Sequence, residues 1–370
     1  MSEVYAPIGV GVIGASPERG WASTVHMPVL LSLPQFRVAA VSTTKQASAE
    51  AAAAKWHVPA AYADAASLAG DPAVELVVVS VRTPQHYAAV KTALQAGKPV
   101  FCEWPLAANS AQARELAALA QAAGVKTAVC VQARMSPVLT YVRDLVAQGF
   151  VGEVLSTTMT SASPPWGETT DEANCYLADV ENGATTLSIP GGHTLDALCY
   201  CLGEFAEVSA VVATRRPTIT VMPGGRVIPK TASDQVLVSG TLESGAVVAA
   251  HIQGGVGNGL GIRFEIRGTK GDLVVSSSDP SLIEMATLAL HGAQGKFQPL
   301  TELTVPDSYT WVPEGAPRGV PMNVAQFYVR LADDLRTGTT TVPDFALAVR
   351  RHALLDAIQR ASDTGQRQRV

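Results

Sequence analysis

Residues 8–21 read Ile8-Gly-Val-Gly-Val-Ile-Gly14-Ala-Ser16-Pro-Glu-Arg-Gly20-Trp21, and this stretch decides the fold. A short apolar strand runs into a glycine-bearing loop. Such a loop lets backbone N–H groups approach a phosphate, and a following helix adds its positive N-terminal end. The usual Gly-x-Gly-x-x-Gly spacing is stretched, since five residues separate Gly14 from Gly20. Because strand-to-helix turns commonly use glycine, it is the position after a first strand that favours a dinucleotide site.

Apolar runs alternate with alanine-rich helical stretches over about the first 125 residues. This alternation predicts a parallel sheet covered by helices on both faces, a Rossmann dinucleotide-binding domain over residues 1–132. The predicted strands are Gly9–Ile13, Arg37–Ser42, Leu76–Val81, Pro99–Cys102 and Thr127–Val131. The predicted helices are Met27–Ser32, Ala47–Trp56, Gln85–Ala96 and Ala111–Ala123.

The pattern changes after Gly149, where the apolar runs become longer and richer in β-branched residues. This change predicts an α+β domain over residues 133–370 with a large, mostly antiparallel open sheet. One helix, His193–Leu202, interrupts the strands. Two more helices, about 324–336 and 344–362, close the chain and are expected to pack back toward the first domain. The predicted strands are Glu153–Ser161, Glu207–Thr214, Gln235–Thr241, Ala246–Ile252, Arg263–Arg267, Asp272–Ser276 and Glu284–Leu290.

Composition excludes several classes of protein. The 370 residues are enough for two domains, and a hydrophobic fraction of 47% supports large cores. The net charge of −5 and the lack of a basic stripe argue against binding to nucleic acid or to an anionic membrane. No apolar stretch reaches the ~18 residues of a membrane span, and no signal peptide is recognisable. The five cysteines lack metal-binding spacing, so we expect a cytoplasmic protein with buried thiols and no metal site.

The segment after the second predicted strand bears on the choice of cofactor. An NAD site usually presents Asp or Glu here to hold the ribose hydroxyls. This chain instead has Val41-Ser42-Thr43-Thr44-Lys45. Hydroxyls and an ammonium suit the 2′-phosphate of NADP, which a carboxylate would repel. The alternative is an exposed turn with one solvated lysine. The segment therefore favours NADP over NAD.

Several motifs together resemble the glucose–fructose oxidoreductase and inositol dehydrogenase (Gfo/Idh/MocA) family over nearly the whole chain. Within that family, the chain resembles the subgroup that includes the yeast galactose-pathway repressor. The family motifs are the glycine loop with His26, Val81-x-Thr83-Pro84-x-His86, Gly97-Lys-Pro-Val-Phe-x-Glu103-x-Pro105, Gly192-His193-Thr-Leu-Asp196 and the helices around Phe327 and Phe345. The subgroup motifs are Gly20-Trp21, Glu103-Trp104-Pro105 and Leu187-Ser-Ile-Pro-Gly-Gly-His193.

The resemblance implies a protein that uses NAD(P) to oxidise or reduce sugars, polyols or related small carbonyl compounds. It also implies a homodimer or higher homo-oligomer formed through the open sheet. The expected binding place is the cleft between the domains, at the carboxyl ends of the parallel strands. The residues expected to contact the cofactor are Gly14, Ser16, Gly20, Trp21, Ser42, Thr43, Lys45, Val81, Pro84, His86, Glu103 and Trp104.

The chain departs from the family's enzymes at two catalytic positions. Family dehydrogenases combine the lysine of Glu-Lys-Pro with the aspartate and histidine of Asp-x-Gly-x-His. Here Trp104 replaces that lysine, Ile189 replaces the aspartate, and His193 remains. Tryptophan cannot accept a proton, but it can stack beside a nicotinamide or a substrate. His193 is therefore the candidate acid/base, expected at a helix N-terminus whose positive end favours neutral imidazole.

Other polar residues have open roles. Asp196, one helical turn beyond His193, would orient the imidazole or cap the helix. Tyr176 would supply a phenol to the pocket wall or simply pack. Arg134 would meet a substrate anion or tie the domains together. His86 would contact the cofactor or cap a helix.

The leading hypothesis from the sequence is an NADP(H)-dependent oxidoreductase with His193 as acid/base, assisted by Asp196 or Tyr176. One rival is a nucleotide-binding regulator that acts through protein–protein contact. Another is an enzyme that retains its nicotinamide and performs a redox-neutral step. The sequence does not identify the substrate, because fold analogy alone does not supply it.

Overall fold

The computed structural model describes residues 5–259, 261–278 and 280–370. The chain divides into two compact units. The first takes the chain up to Val131 together with Trp311–Arg350, and the second takes Gln132–Thr310 and Arg351–Val370.

The first unit contains a six-stranded parallel sheet, which confirms the predicted Rossmann architecture. Its order, β3-β2-β1-β4-β5-β6, places the glycine-loop strand β1 at the centre, where strand order reverses and nucleotides bind in such folds. Residues of β1 and β4 are almost all buried, as strands covered on both faces should be. The strands are β1 Ile8–Ile13, β2 Phe36–Ser42, β3 Ala60–Tyr62, β4 Leu76–Val79, β5 Val100–Glu103 and β6 Thr127–Cys130.

The helices of this unit begin and end close to the predicted positions. The sequence prediction missed β3 and the helix that follows it. Both are short, three and six residues, and alanine-rich, so they carry no clear hydrophobic period. The helices are α1 Met27–Ser32, α2 Gln46–Trp56, α3 Ala65–Gly70, α4 Thr83–Gln95 and α5 Ser110–Ala123.

The second unit contains a nine-stranded sheet in which β7 and β13 form the one parallel pair among the described residues. Its order is β17-β16-β15-β14-β7-β13-β12-β9-β18, which confirms the predicted large and mostly antiparallel sheet. A separate three-stranded sheet, β11-β10-β8, was not predicted. The strands are β7 Val154–Ser163, β8 Thr169–Asp171, β9 Phe205–Ala213, β10 Thr218–Met222, β11 Arg226–Pro229, β12 Gln235–Leu242, β13 Val247–Gly254, β14 Ile262–Gly268, β15 Gly271–Ser277, β16 Ala289–Gln294, β17 Thr301–Glu302 and β18 Gln368–Arg369.

The predicted strand Glu284–Leu290 is wrong over most of its length. Strand β16 starts only at Ala289, and Glu284 lies in a turn. In this turn the carbonyl of Leu282 accepts hydrogen bonds from the N–H groups of Met285 and Ala286. The apolar alternation of the segment resembles a strand, but these local bonds use the backbone groups that a ladder would need.

Four further α-helices lie in the part of the chain that the structure describes. In the second unit they are α6 Pro137–Ala147, which the sequence prediction missed, and α7 Gly192–Leu202. The two terminal helices are α8 Met322–Thr337 and α9 Phe345–Thr364, each within two residues of its predicted bounds.

Candidate functional site

Gly14 fits its position because no side chain could be accommodated there. It follows β1 with φ +96°, and its N–H donates to the Ser42 carbonyl at 2.9 Å. A Cβ at this residue would lie 2.2 Å from the Ser80 carbonyl oxygen, just beyond β4. The backbone of β1 is thus pinched between β2 and β4 where the loop begins. This close approach, together with the positive φ, requires glycine.

The second glycine of the loop faces open space. Gly20 has φ +97°, and a Cβ built there would meet nothing within 4 Å. The helix that follows begins earlier than predicted: it starts at Trp21 and runs through a π-helical turn, Ala22–His26, into α1. The positive end of that helix therefore directly follows the glycine loop.

The indole of Trp21 supplies a donor in this loop. Its Nε1 is buried, and among the described residues it has no hydrogen-bond partner. Leaving a buried N–H unpaired costs about 1–3 kcal/mol, so a ligand that accepts from it would bind favourably. Nearby, the carbonyl of Ser16 accepts a hydrogen bond from the Ser23 hydroxyl, and Lys55 of α2 donates to the Pro17 carbonyl at 2.6 Å. These contacts hold the glycine loop against α2 and against the helix that begins at Trp21.

At the end of β2, three candidate residues have different surroundings. Ser42 is 1% exposed and lies beside Ile13 in the parallel ladder. The Thr43 hydroxyl donates to the Lys45 carbonyl at 3.0 Å and so stabilises the turn before α2. Lys45 is exposed and precedes the first residue of α2. The structure thus brings these residues and Gly14 to the same place, the carboxyl ends of the parallel strands, and the Lys45 side chain is exposed to solvent.

The loop after β4 is tied down by His86. This histidine is 1% exposed; Nδ1 lies 2.7 Å from the Pro105 carbonyl and Nε2 lies 2.9 Å from the Val81 carbonyl. Burial lowers the pKa of the His86 imidazole, while the two carbonyl acceptors act in the opposite direction. Pro84 occupies the first turn of α4, where its missing N–H leaves no bond unmade. His86 therefore joins the loop after β4 to the turn after β5, rather than capping α4.

Glu103, the last residue of β5, is held by a chain of hydrogen bonds. His26 Nε2 lies 2.7 Å from Glu103 Oε1, and His26 Nδ1 lies 2.8 Å from the Tyr328 hydroxyl. Burial raises the pKa of the Tyr328 hydroxyl well above its usual value, so the phenol stays protonated. His26 and Tyr328 are fully buried, whereas the Glu103 side chain is 13% exposed. These hydrogen bonds therefore fix the Glu103 carboxylate at the carboxyl end of β5. Trp104, the next residue, is 4% exposed.

In the second unit, His193 does not lie at a helix N-terminus as the sequence suggested. A π-helical turn, Leu187–Gly191, continues directly into α7, so helical backbone precedes this histidine. The start of the helix is capped reciprocally: Ser188 N–H donates to Thr185 Oγ1 at 3.1 Å, and Thr185 N–H donates to Ser188 Oγ at 2.7 Å. Pro190 has no N–H to donate, and the π-helical turn bypasses it, because the Thr186 carbonyl accepts instead from the Gly191 N–H at 2.8 Å.

Asp196 pairs with arginines, in contrast to its predicted role of orienting His193 or capping the helix. Arg134 Nε and Nη2 each lie 2.7 Å from a carboxylate oxygen of Asp196, and Arg351 Nε lies 2.7 Å from Oδ1. Arg351 also forms a bidentate pair with Glu204. Burial alone would raise the pKa of the Asp196 carboxyl, but the two guanidinium groups outweigh it and the net shift is downward. This network anchors α7. The guanidinium of Arg134 is already paired with Asp196 in it.

The polar neighbour of His193 is Glu284, a residue that the sequence reasoning missed. His193 Nε2 lies 3.6 Å from Glu284 Oε1, and each side chain is 4% exposed. His193 Nδ1 is buried, and among the described residues it has no hydrogen-bond partner. Tyr176 is half-buried in a 3₁₀ helix, Glu172–Ala178, and its catalytic role stays a prediction. No sequence signal marks Glu284, because its contact with His193 depends on tertiary packing.

Two kinds of feature are absent from the described residues. In the ranges 5–259, 261–278 and 280–370 there is no cluster of three His, Cys, Asp or Glu side chains arranged to hold a metal ion. None of the helices in that part of the chain is both long enough and apolar enough to cross a membrane.

Comparison with known proteins supports the resemblance for both units. Residues 8–131 match the oxidoreductase family with an NAD-binding Rossmann fold, and residues 137–277 match the Gal80p C-terminal domain. The chain is 30% identical over 306 residues to the galactose/lactose metabolism regulatory protein GAL80 of Kluyveromyces lactis, covering 77% of this chain and 67% of that protein. It is 34% identical over 209 residues to the dehydrogenase aclE of Aspergillus oryzae, covering 55% and 57%.

A solved structure supports the fold over the full length. Levoglucosan dehydrogenase in complex with NADH and levoglucosan superposes with a TM-score of 0.83 at 20% identity, covering 98% of this chain and 99% of that one. The matched regions, the shared motifs and the level of identity to GAL80 agree. The chain belongs to the Gfo/Idh/MocA oxidoreductase family, in the subgroup whose second domain is of the Gal80 type.

Proposed function

We propose that the protein is an NAD(P)-dependent oxidoreductase that acts on a small hydroxyl or carbonyl compound, such as a sugar, a polyol or a related metabolite. The observation that carries this proposal is the imidazole of His193. Its Nδ1 is buried and without a partner in the described part of the chain. A buried imidazole nitrogen that has no other partner can accept a proton from a substrate hydroxyl, and it can return that proton to a carbonyl oxygen.

The residues of the first unit fit a nicotinamide dinucleotide. The open face at Gly20 leaves room for the pyrophosphate, and the unpartnered Trp21 Nε1 is a suitable donor to it. Ser16 lies in the same loop. Glu103, held by His26 at the end of β5, would lie beside the nicotinamide ribose. When bound, the nicotinamide supplies hydride transfer. The family match and the neighbouring NADH complex support NAD(H) as the cofactor class.

A preference for NADP is a finer proposal, which rests on Lys45. Its exposed ammonium follows β2, the strand whose end meets the adenosine ribose in this fold. Replacing it with a carboxylate, Lys45→Glu, should weaken NADP binding by about 10-fold or more and leave NAD binding within about 3-fold. Titration of both nucleotides by fluorescence measures this. Equal loss of both affinities, or of neither, would contradict a contact between Lys45 and the 2′-phosphate.

The protein's own part in the reaction is to hold and move one proton. His193 takes the hydroxyl proton on Nδ1 during oxidation and gives it back during reduction. The arginine pairs of Asp196 fix α7 one turn beyond this histidine, so the ring is carried on a rigid element. Trp104, in the place of the family's lysine, carries no transferable proton and can only shape the binding pocket.

The test is a change in absorbance at the reduced-nicotinamide band with panels of sugars, polyols and their ketones. Replacing His193 with alanine should lower kcat by about 10²–10⁴-fold while the nucleotide Kd stays unchanged. His291→Ala, on the half-buried strand β16, is the matched control and should retain turnover. Full activity in the His193 variant would reject the proton-transfer role.

A regulatory function is the second candidate. It is favoured by the likeness to GAL80 and by the loss of two family catalytic groups at Trp104 and Ile189. In this case the nucleotide would alter affinity for a protein partner. Affinity capture with and without NAD(H) or NADP(H) tests it, using a variant that cannot bind nucleotide as the control. A partner whose capture changes with nucleotide, together with absent turnover, would favour regulation over catalysis.

A further inference from the structure

Glu284 reaches His193 from a fixed position. It lies in the turn between β15 and β16, which is closed by hydrogen bonds from Met285 and Ala286 to the Leu282 carbonyl at 2.9 and 3.0 Å. Ile283, beside it, is 1% exposed and anchors the turn in the core. A carboxylate on such a turn has little freedom to move, and its Oε1 lies 3.6 Å from His193 Nε2.

The alternative carboxylate in this region is already occupied. Asp196 lies one turn along the same helix as His193, but its two oxygens accept hydrogen bonds from Arg134 and Arg351. Position 189, where the family's enzymes carry an aspartate, holds isoleucine. The carboxylate beside the imidazole therefore comes from a different part of the chain.

We propose that Glu284 is the positioning residue of His193 and holds the imidazole proton on Nε2, which leaves Nδ1 as the base. This inference rests on the proposed oxidoreductase function. A negative charge beside one ring nitrogen favours the tautomer whose N–H points toward it, and the other nitrogen then keeps its lone pair. A separation of 3.6 Å is longer than a hydrogen bond. Such contacts commonly tighten when the substrate binds.

In the oxidation direction, a bound oxidised nicotinamide would accept the hydride from the substrate carbon, and the hydroxyl proton would move to His193 Nδ1 as the carbonyl forms. Nε2 keeps its proton throughout, and Glu284 stabilises the positive charge that the ring gains. Glu284 itself exchanges no proton, as expected of a residue that acts only through His193.

Steady-state kinetics test the role of Glu284. Glu284→Gln should lower kcat by about 10²-fold and leave KM within about 2-fold, because charge stabilisation is lost but the pocket keeps its shape. Glu284→Asp should recover at least part of the loss. The primary deuterium isotope effect should rise in the Gln variant, since chemistry becomes rate-limiting, whereas a merely misfolded fraction would leave it unchanged. Glu302→Gln, on the exposed strand β17, is the matched control.

A spectroscopic measurement tests the tautomer without any turnover. In protein with ¹⁵N-labelled histidine, the His193→Asn variant assigns the His193 signals among the seven histidines. The wild-type protein should carry the proton on Nε2, and Glu284→Gln should populate the Nδ1–H form as well. A proton on Nδ1 in the wild type would overturn the inference, as would unchanged kcat and tautomer in the Gln variant. Absent turnover with every substrate would instead count against the proposed function, and the tautomer would still be decided.

Discussion

At the scale of single residues, Trp21 makes the sharpest prediction about cofactor binding. Its indole N–H is buried without a partner among the described residues. Trp21→Phe removes only this donor and keeps the aromatic ring. Nucleotide binding should weaken by about 1.5–3 kcal/mol, about 10–150-fold in Kd, as for a lost hydrogen bond to a charged acceptor. Isothermal titration with NADH and NADPH measures the change. Trp311→Phe, a half-buried tryptophan elsewhere in the first unit, should bind normally.

Asp196 makes a prediction about stability and its dependence on pH. Asp196→Asn removes the counter-ion of Arg134 and leaves Arg351 paired with Glu204 alone, and it should cost about 3–5 kcal/mol of unfolding free energy at neutral pH. The folded-state pKa of this carboxyl lies below its ordinary 3.8, because the arginines outweigh the effect of burial. A lowered pKa stabilises the fold above the unfolded pKa, and this contribution is lost as pH falls through the folded value.

The measurement is urea unfolding between about pH 3 and pH 7. Stability of the wild-type protein should fall on acidification below about pH 4, and that of Asp196→Asn should fall less steeply. Asp307→Asn, an exposed aspartate in the same unit, is the control and should behave as the wild type. Identical pH slopes for all three proteins would contradict the ion-pair network.

At the scale of elements, the position of β1 between β2 and β4 predicts that the glycines of this unit differ in how well they tolerate replacement by alanine. Gly14→Ala places a Cβ 2.2 Å from the Ser80 carbonyl at a positive φ, so the strand ends must separate. Destabilisation of several kcal/mol and loss of nucleotide binding should follow, because strain and steric overlap act together. Gly70→Ala, at the last residue of α3, meets nothing within 4 Å and should be neutral or slightly stabilising. Thermal melts and nucleotide titration of the two variants distinguish the sites.

Long elements could be predicted from the sequence, whereas short elements and tertiary contacts could not. Hydrophobic periodicity located long elements such as α5 and β12 to within a residue or two. It failed for the short β3, and for residues 284–290, where local turn bonds compete with an apolar alternation. Motif spacing singled out Gly14, Glu103 and His193 as candidates for the site. Their partners could not be found in this way: Tyr328 lies 302 positions from His26, and such contacts exist only after tertiary packing.

At the scale of the whole molecule, one exposed face of the nine-stranded sheet is the surface on which we propose that the expected homo-oligomer forms. Register places Val211, Leu237, His251 and Thr160 in one row across four neighbouring strands. Val211 and Leu237 are 57% and 47% exposed, and Val247, on the same face of β13, is 57% exposed. Exposed apolar side chains gathered on one face of a sheet are typical of an interaction surface. We propose a second copy of the chain as the occupant, because a two-fold axis can pair such a patch with itself.

The oligomer prediction is tested by placing a charge at the centre of that row. Leu237→Lys would bring two ammonium groups close to the two-fold axis in a desolvated interface, where like charges repel strongly. Light scattering and sedimentation should therefore give a larger particle for the wild type and a monomer for the variant, with nucleotide affinity retained. Val227→Lys alters an exposed valine on the separate strand β11 and should leave association intact. Association that survives Leu237→Lys would place the contact on another surface. Two lysines at the two-fold axis would force the two copies apart, and the proposed packing of Val211 and Val247 against the partner would then be lost.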